Sequence, residues 1–199
     1  MRLPIVTVIF LLTSCGNRQD PDIVKFDRSI PDTSKTWAGH MTREAYSQTR
    51  IFENKLKLAT LLDGVKNHEF RVWKLSSFYD SQVVFIAKSE SSNRWTLRKV
   101  SFNRAKPDSV FSDFVRILGQ GAIDSLNLER YWQLTSQSDL GLGDSFGCND
   151  GGDIFIEMAN PWRYRFMWHR CPDIHKDNDP SFRLTSELAD KLNALAFDH

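Results

Sequence analysis

Apolar residues recur at helical spacing near both ends of the folded part of the chain. Between residues 42 and 62 they fall three, four or seven positions apart, which places them on one face of a helix that Gly64 would end. These residues are Ala45, Phe52, Leu56, Ala59 and Leu62. Over residues 182–197, one face carries Leu184, Leu188, Leu192 and Leu195. The pattern predicts an N-terminal and a C-terminal helix.

Between the two helices the pattern changes to that of β-strands. Residues 70–78, 82–88 and 94–102 form three runs that short polar turns separate. Within the second run, residues 83–86 are continuously apolar, which is typical of a central strand that is buried on both faces. These runs predict a three-stranded antiparallel meander.

One more helix and one more pair of strands follow. Apolar residues at helical spacing between Pro107 and the pair Gly119 and Gly121 predict a short helix. They are Val110, Phe111, Phe114, Val115 and Leu118. Residues 154–157 and 163–168 predict a hairpin that turns at residues 159–162. The predicted fold class is α+β, a mostly antiparallel sheet of meander and hairpin flanked by the N-terminal and C-terminal helices.

The first residues of the chain have the layout of a secretory signal. Arg2 supplies a positive charge, residues 5–12 are largely apolar, and small residues lead to Cys15. The apolar run is about half of the roughly 20 residues that a transmembrane helix needs. We therefore expect a signal peptide at residues 1–14.

Leu12-Thr13-Ser14-Cys15 resembles the lipobox of bacterial lipoproteins. The resemblance implies that Cys15 becomes the mature N-terminus and carries a diacylglycerol, and in many bacteria also an N-acyl chain such as palmitate. Two or three chains anchor a protein permanently, because each buried methylene adds about 0.8 kcal/mol. The resemblance also implies a domain held at the bacterial membrane and facing the periplasm or cell exterior. Gly16, in place of a retention aspartate, favours the outer membrane.

The rest of the chain divides into a tether and one domain. Residues 15–35 are polar, contain two prolines and lack periodicity, so they predict a flexible lipidated tether. Residues 36–199 are enough for a single domain with its own core. The formal net charge of +1 gives no excess of cations, so we expect no nucleic-acid partner. We expect tryptophan rings to fill the core or line a groove, and the folded part contains Trp73, Trp95, Trp132, Trp162 and Trp168.

Cys148 and Cys171 remain as an even pair once Cys15 is assigned to the lipid. In an exported protein such a pair predicts a disulfide. If the hairpin turn pairs Met158 with Arg163, residue 150 lies opposite Cys171. A glycine-rich bulge would then bring Cys148 within reach of Cys171.

The stretch 143–147 reads Gly-Asp-Ser-Phe-Gly and raises the question of whether Ser145 is a nucleophile. A nucleophile elbow needs a strand before the serine and a helix after it, whereas both flanks here are polar and glycine-rich. The segment with Asp173, His175 and Asp177 offers oxygen ligands at alternate positions but departs from the calcium-loop pattern. We therefore expect no catalytic residue, metal or cofactor. The alternative is an envelope hydrolase centred on Ser145 or on this acidic segment.

Residues 150–172 resemble stretches of uncharacterised exported bacterial proteins, a resemblance that implies no activity. The candidate binding residues in this part of the chain are Trp162 at the predicted hairpin turn, Tyr164 and Glu157. The function that this sequence favours is a non-enzymatic binding or accessory module of the envelope that uses an aromatic surface. Its partner would be an envelope protein or a small ligand.

Overall fold

The fold is that of a computed structural model, which describes residues 26–30, 37–76, 79–91, 94–140, 148 and 151–197. The strands are β1 (Asp27–Ser29), β2 (Glu69–Ser76), β3 (Ser81–Ser91), β4 (Arg94–Asn103), β5 (Val110–Gly119), β6 (Gly152–Ala159) and β7 (Arg163–Arg170). The helices are α1 (Trp37–Lys55), α2 (Gln120–Leu126), α3 (Pro172–His175) and α4 (Pro180–Phe197), with 3₁₀ helices at Leu128–Gln133 and Gln137–Asp139. None of the helices in these described ranges is long and apolar enough to cross a membrane.

The predicted meander and hairpin belong to a single seven-stranded sheet. Its strand order is β1-β7-β6-β2-β3-β4-β5, so the hairpin β6–β7 joins the meander where β6 pairs with β2. The meander contains four strands, β2 to β5, instead of three. The pair β1–β7 is parallel and the other neighbouring pairs are antiparallel. The fold is thus α+β with a mostly antiparallel sheet, as the pattern predicts.

A buried apolar cluster covers each face of the sheet. Side chains alternate between the faces of a strand, so neighbouring residues of β2 enter different clusters. Trp73 belongs to the cluster that includes Phe52 of α1. Val72 belongs to the other, which includes Leu188 of α4 and Trp132 of the first 3₁₀ helix. The candidate site described below lies on this second face.

The prediction of a helix after Pro107 is wrong. Val110–Gly119 form β5, which pairs with β4 along its length. Because β5 lies at the edge of the sheet with most of its side chains exposed, it lacks the strict alternation that marks a half-buried strand. Its aromatic and β-branched residues favour a strand, and Leu118 is its one buried residue.

Helix α1 ends at Lys55, well before the predicted end at Gly64. Lys57 adopts the left-handed conformation, with φ of 55°. The N–H of Leu58 donates to the carbonyl oxygen of Glu53 at 2.9 Å, and the N–H of Lys57 donates to that of residue 54 at 3.3 Å. These two bonds form a Schellman cap, whose left-handed position is usually glycine. With lysine there, the sequence carries no signal for the end of the helix.

The predicted hairpin is confirmed, but its register differs by two residues. Met158 pairs with Arg165 and not with Arg163. The side chain of Asn160 fixes the turn, because its Oδ1 accepts hydrogen bonds from the N–H groups of Trp162 and Arg163, each at 2.9 Å. The ladder therefore brings Cys171 opposite residue 152, where the Cys171 N–H donates to the carbonyl oxygen at 2.8 Å.

Strand β1 lies inside the segment predicted as a tether. Asp27–Ser29 pair with β7, and the guanidinium of Arg28 donates to the carbonyl oxygen of Leu62 at 2.9 Å and to Asp63 at 2.6 Å. Phe26 packs so closely on Gly64 that an added Cβ there would lie 2.6 Å from its ring. These contacts tie residues 26–30 to the domain, so the folded part begins before the predicted boundary at residue 36.

Candidate functional site

A cavity of about 470 Å³ opens at one end of the central strands. Its walls come from the starts of β2 and β4, the ends of β3 and β6, helix α2 and the 3₁₀ helix Leu128–Gln133. Its apolar lining consists of Phe70, Trp95, Ile123, Leu128, Trp132, Met158 and Ala159. We call this cavity the aromatic pocket. Its volume lies within the range of small-molecule binding sites.

Two arginines of β7 hold Trp132 in the wall of the aromatic pocket. The guanidinium of Arg163 lies 3.8 Å from the centre of the Trp132 ring and donates to Glu129 at 3.1 Å. Arg165 donates to the carbonyl oxygens of Trp132 and Leu134. Ring and backbone of Trp132 are both fixed, so this wall is formed before any ligand binds.

The rim of the aromatic pocket carries negative charge. Glu69, Asp124 and Glu129 contribute carboxylates, and the described lining residues include no lysine or arginine. Glu69 pairs with Arg71, and Glu129 pairs with Arg163. Asp124 is exposed and accepts a 2.6 Å hydrogen bond from a neutral glutamine amide, and it has no ion pair within the described ranges. Asp124 is therefore the least compensated of the three charges.

A left-handed residue sets the position of this rim. Asn127, with φ of 50°, ends α2 by donating its N–H to the carbonyl oxygen of Asp124 at 3.0 Å. Its own carbonyl oxygen accepts from the N–H of Arg130 at 3.2 Å and so begins the 3₁₀ helix. Asparagine tolerates this conformation better than most residues. The turn places Asp124 and Glu129 on the same pocket.

A second cavity of about 390 Å³ lies beside the aromatic pocket. Both are lined by His68, Glu69 and Ser89, which form a shared wall. The charged residues that line only the second cavity are Lys66, Lys88 and Glu90. The shared wall therefore separates the acidic, aromatic pocket from a cavity whose two lysines are balanced by Glu69 and Glu90.

Two of the predicted binding residues, Glu157 and Tyr164, lie fully buried in the interior. The carboxylate of Glu157 accepts hydrogen bonds from the Trp73 indole at 2.7 Å and the Tyr164 hydroxyl at 2.9 Å, and it pairs with Arg50 of α1. Burial raises the pKa of Tyr164, which keeps its hydroxyl protonated. These contacts tie β6 and β7 to α1. The position of the two residues does not support the predicted role in binding.

A second buried ionic group adjoins the first. Arg71 donates to Glu69 at 2.8 Å, to the carbonyl oxygen of Ala59 at 2.7 Å and to Glu53. Arg50 also pairs with Glu53, at 2.8 Å, and so links the two groups. Burial raises the pKa of Glu53, against the opposing effect of the Arg71 and Arg50 guanidinium groups. Because Glu69 also lines the aromatic pocket, Arg71 connects the pocket wall to α1.

Trp162, the third predicted binding residue, lies at the tip of the hairpin with 56% of its surface exposed. It is not among the described residues that line either cavity. The structure therefore separates it from Glu157 and Tyr164, which are internal. Its predicted role in binding stays a prediction.

Cys148 and Cys171 lie at disulfide distance, with Cα atoms 6.4 Å apart and their sulfur atoms in contact. Gly151 lies against both sulfur atoms, and an added Cβ there would overlap Sγ of Cys171. The structure thus brings together the two cysteines that the sequence predicts as a pair. The nearby glycine provides the space that the pair needs.

His169 of β7 is a fully buried histidine that contacts α4. Its Nε2 lies 2.8 Å from the carbonyl oxygen of Thr135, and its Nδ1 lies 3.0 Å from the hydroxyl of Thr185. A carbonyl oxygen can only accept, so Nε2 carries the proton and Nδ1 accepts from the hydroxyl. Burial lowers the pKa of His169 to about 4. The imidazole is therefore neutral and joins two elements of the core.

Ser145, one residue of the alternative hydrolase centre, lies outside the described residues. The predicted lipidation site, Cys15, also lies outside them. Asp173 and His175 belong to α3, and Asp173 accepts a hydrogen bond from a serine of α4. Asp177 is exposed on the following turn. No group of three or more His, Cys, Asp or Glu side chains that could hold a metal occurs within the described ranges.

The sequence prediction missed the aromatic pocket. It identified Trp95 and Trp132 only as residues that fill a core or line a groove. The pocket depends on β5, which pairs Leu118 with Trp95 and leads directly into α2. The helix that the sequence predicts in place of β5 would put α2 at another position. The sequence signal closest to the site is the pair of acidic residues Asp124 and Glu129 just before Trp132.

A comparison of the chain with models of protein families, with curated proteins and with solved structures finds no match. The shape of the aromatic pocket and the charge at its rim are therefore the observations from which a function is inferred.

Proposed function

We propose that this chain is a lipid-anchored protein of the bacterial envelope whose domain binds a small amphipathic cation in the aromatic pocket. The proposed anchor rests on the lipobox sequence that ends at Cys15. The proposed binding rests on one observation, a cavity of about 470 Å³ with tryptophan walls and a rim of carboxylates. In this proposal the domain is a binding module and not an enzyme.

The lining of the aromatic pocket favours an apolar group. Trp95 and Trp132 are each 8% exposed, and Phe70, Ile123 and Met158 lie beside them. Removing apolar surface from water contributes about 25 cal/mol per Å². An alkyl chain or a ring of the ligand would therefore lie against these side chains.

The rim favours a positive charge on the ligand. A cation at about 4 Å from an exposed carboxylate such as Asp124 gains roughly 1 kcal/mol in water. The face of an indole ring such as that of Trp95 also attracts cations. An anion would instead meet the carboxylate of Asp124, whereas Glu69 and Glu129 are paired with arginines. A protonated amine or quaternary ammonium with an apolar body combines the properties that the lining and the rim favour.

Three probes of the same chain length and different charge test this proposal. Isothermal titration calorimetry of the full chain with n-octylammonium, 1-octanol and octanoate measures how affinity depends on charge. We expect n-octylammonium to bind about fivefold more tightly than 1-octanol, which corresponds to roughly 1 kcal/mol, and octanoate to bind most weakly. Equal affinities, or no binding of any probe, would contradict the proposal.

Variants assign the binding to the aromatic pocket. Asp124→Asn should remove the advantage of n-octylammonium over 1-octanol. The matched control is Asp190→Asn, which removes an exposed carboxylate of α4 that lies outside both cavities and should change nothing. Ile123→Trp should fill the pocket and weaken all three probes. If Asp124→Asn and Asp190→Asn behave alike, the rim does not select the charge.

A further inference from the structure

Strand β5 presents a long apolar edge to solvent. In the part of the chain that the structure describes, it is the last strand of the sheet. Its exposed apolar residues are Val110, Phe111, Phe114, Val115 and Ile117. An edge strand offers unpaired N–H and C=O groups to another strand, and exposed apolar side chains add to the attraction. Such an edge favours pairing with a further chain.

The opposite edge of the sheet is built differently. Strand β1 is three residues long, Asp27–Ser29, and its side chains are charged or polar. Short, charged edge strands are the usual protection against unwanted pairing. By contrast β5 has ten residues, with Asp113 and Arg116 as its only charged ones. Among the described strands, β5 is therefore the edge suited to a partner.

We propose that the partner is a second copy of this chain, with the two β5 strands paired antiparallel about a two-fold axis at Val115. A two-fold axis perpendicular to the sheet pairs residues of the same face, so the two residue numbers of each pair sum to an even value. The ladder with β4 is regular from Ser112 to Gly119, after a bulge that leaves Phe111 without an opposite residue. Two symmetric pairings of seven residues stay within this regular part, one centred on Val115 and one on Arg116.

The register centred on Val115 is the one that the charges favour. It places Asp113, which pairs with Arg98 of β4, opposite Ile117 of the other copy. Arg116, which donates to the carbonyl oxygen of Leu195, lies opposite Phe114. A centre at Asp113 or at Arg116 would place like charges directly opposite each other, which is destabilising. A centre at Phe114 would oppose the bulged residue to Ile117. Pairing at Val115 joins two seven-stranded sheets into one continuous sheet.

The area available predicts a reversible dimer. Val115 and Ile117 are 57% and 59% exposed, and the aromatic residues beside them are exposed to a similar extent. An aromatic side chain buries roughly 150–250 Å² when covered completely, and valine and isoleucine bury less, so at most about half of that area is available at each position. The sum lies at the low end of specific interfaces, below about 1,200 Å² in total, where transient contacts are found. We expect a dissociation constant in the micromolar range.

Sedimentation velocity of the full chain carrying Cys15→Ser, which prevents lipid attachment, measures the association. The expected result is a dimer at about 100 µM that dissociates on dilution. Val115→Glu places two negative charges on the two-fold axis and should leave a monomer. The matched control is Ile51→Glu, which adds the same charge at a position of α1 that is 56% exposed, and it should leave the dimer intact. A monomer at the highest concentration, or a dimer that survives Val115→Glu, would overturn the proposal.

A cysteine cross-link tests the register without a charged variant. Residues that face each other across antiparallel strands have Cα atoms about 4.5–5.5 Å apart, which a disulfide can bridge. Val115→Cys should therefore cross-link two copies under mild oxidation. Ile117→Cys is the control, because its two copies would be separated by four residues, roughly 13 Å along the strand. Equal cross-linking of the two variants, or cross-linking of neither, would exclude pairing at Val115.

Discussion

The hydroxyl of Tyr164 donates a 2.9 Å hydrogen bond to the carboxylate of Glu157, and both side chains are fully buried. Glu157 also accepts from Trp73 and pairs with Arg50, so one carboxylate of the sheet contacts β2, β7 and α1. A buried charge is tolerated when its partners are in place and becomes costly when one is removed. This arrangement makes Glu157 a structural residue of the domain.

Removing Glu157 should strongly destabilise the fold. We expect Glu157→Ala to lower the free energy of unfolding by about 3–5 kcal/mol. It leaves the buried Trp73 indole N–H and Tyr164 hydroxyl without their acceptor and removes one of the two carboxylates that pair with Arg50. Tyr164→Phe should cost less, about 1.5–3 kcal/mol, since it removes one hydrogen bond to a charged group. Urea unfolding followed by tryptophan fluorescence measures both.

An exposed ion pair serves as the control for Glu157. Asp63→Ala removes the 2.6 Å pair with Arg28, whose side chains are 71% and 51% exposed. Pairs of this kind are worth about 0–1 kcal/mol. If Glu157→Ala costs no more than Asp63→Ala, the buried network does not stabilise the fold.

The buried His169 should make stability depend on pH. Its pKa is about 4 in the folded chain and 6.5 in the ordinary reference state. Between these values the unfolded chain takes up a proton that the folded chain does not, so stability falls as the pH falls from about 6.5 to 4. The contribution of His169 to the free energy of unfolding should fall by about 3 kcal/mol over this range.

The variant His169→Gln isolates that contribution. Other groups also titrate over this range, so the quantity to compare is the change in unfolding free energy between pH 7 and pH 4 in the two proteins. The change should be smaller in His169→Gln. The same change in both proteins would show that His169 is accessible to protons in the folded state.

Gly151 should be required for the pairing of Cys148 and Cys171. Gly151→Ala places a Cβ on the sulfur of Cys171, so we expect free thiols and a loss of about 3 kcal/mol, the value for closing a loop of this length. Thiol titration and urea unfolding with and without reductant measure the two effects. Gly121→Ala is the control, because its added Cβ meets nothing within 4 Å. A variant at Gly151 that keeps its disulfide would contradict the geometry.

Intact mass spectrometry tests the proposed anchor. The protein expressed in a bacterial host should have the mass of a chain that begins at Cys15 with an added diacylglycerol. It should gain two hydrogens on reduction of the pair Cys148 and Cys171. The Cys15→Ala variant should lack the lipid. An unlipidated wild-type chain would remove the proposed membrane attachment and leave the proposal for the aromatic pocket unchanged.

Elements whose own residues determine their structure could be predicted from the sequence. The continuous apolar run in β3 and the leucine face of α4 are two such cases. Strand β5 was misassigned because its pairing with β4, and not its own pattern, determines its conformation. The end of α1 was missed because a lysine, Lys57, takes the position that glycine usually occupies.

The candidate site depends on contacts that no local pattern encodes. Trp95 and Trp132 come from separate elements and meet only when β4, β5 and α2 are assembled. The side of the sheet that Glu157 faces was also not readable, because the neighbouring residues of β6 are buried on both faces. Cys148 and Cys171 were predictable as a pair because they follow from a count of cysteines and the expected compartment.

On the proposed anchor, the pairing of β1 with β7 limits how far the domain can move from the membrane. With Asp27 already in the sheet, only the residues after Cys15 separate a lipid on that cysteine from the folded part, and a segment of this length spans at most about 40 Å. On the proposed anchor, every copy would then be confined to a layer about as thick as the bilayer itself. Confinement of this kind raises the effective concentration of each copy for the next. A weak contact between β5 edges would thus form on a membrane at copy numbers that leave it dissociated in solution.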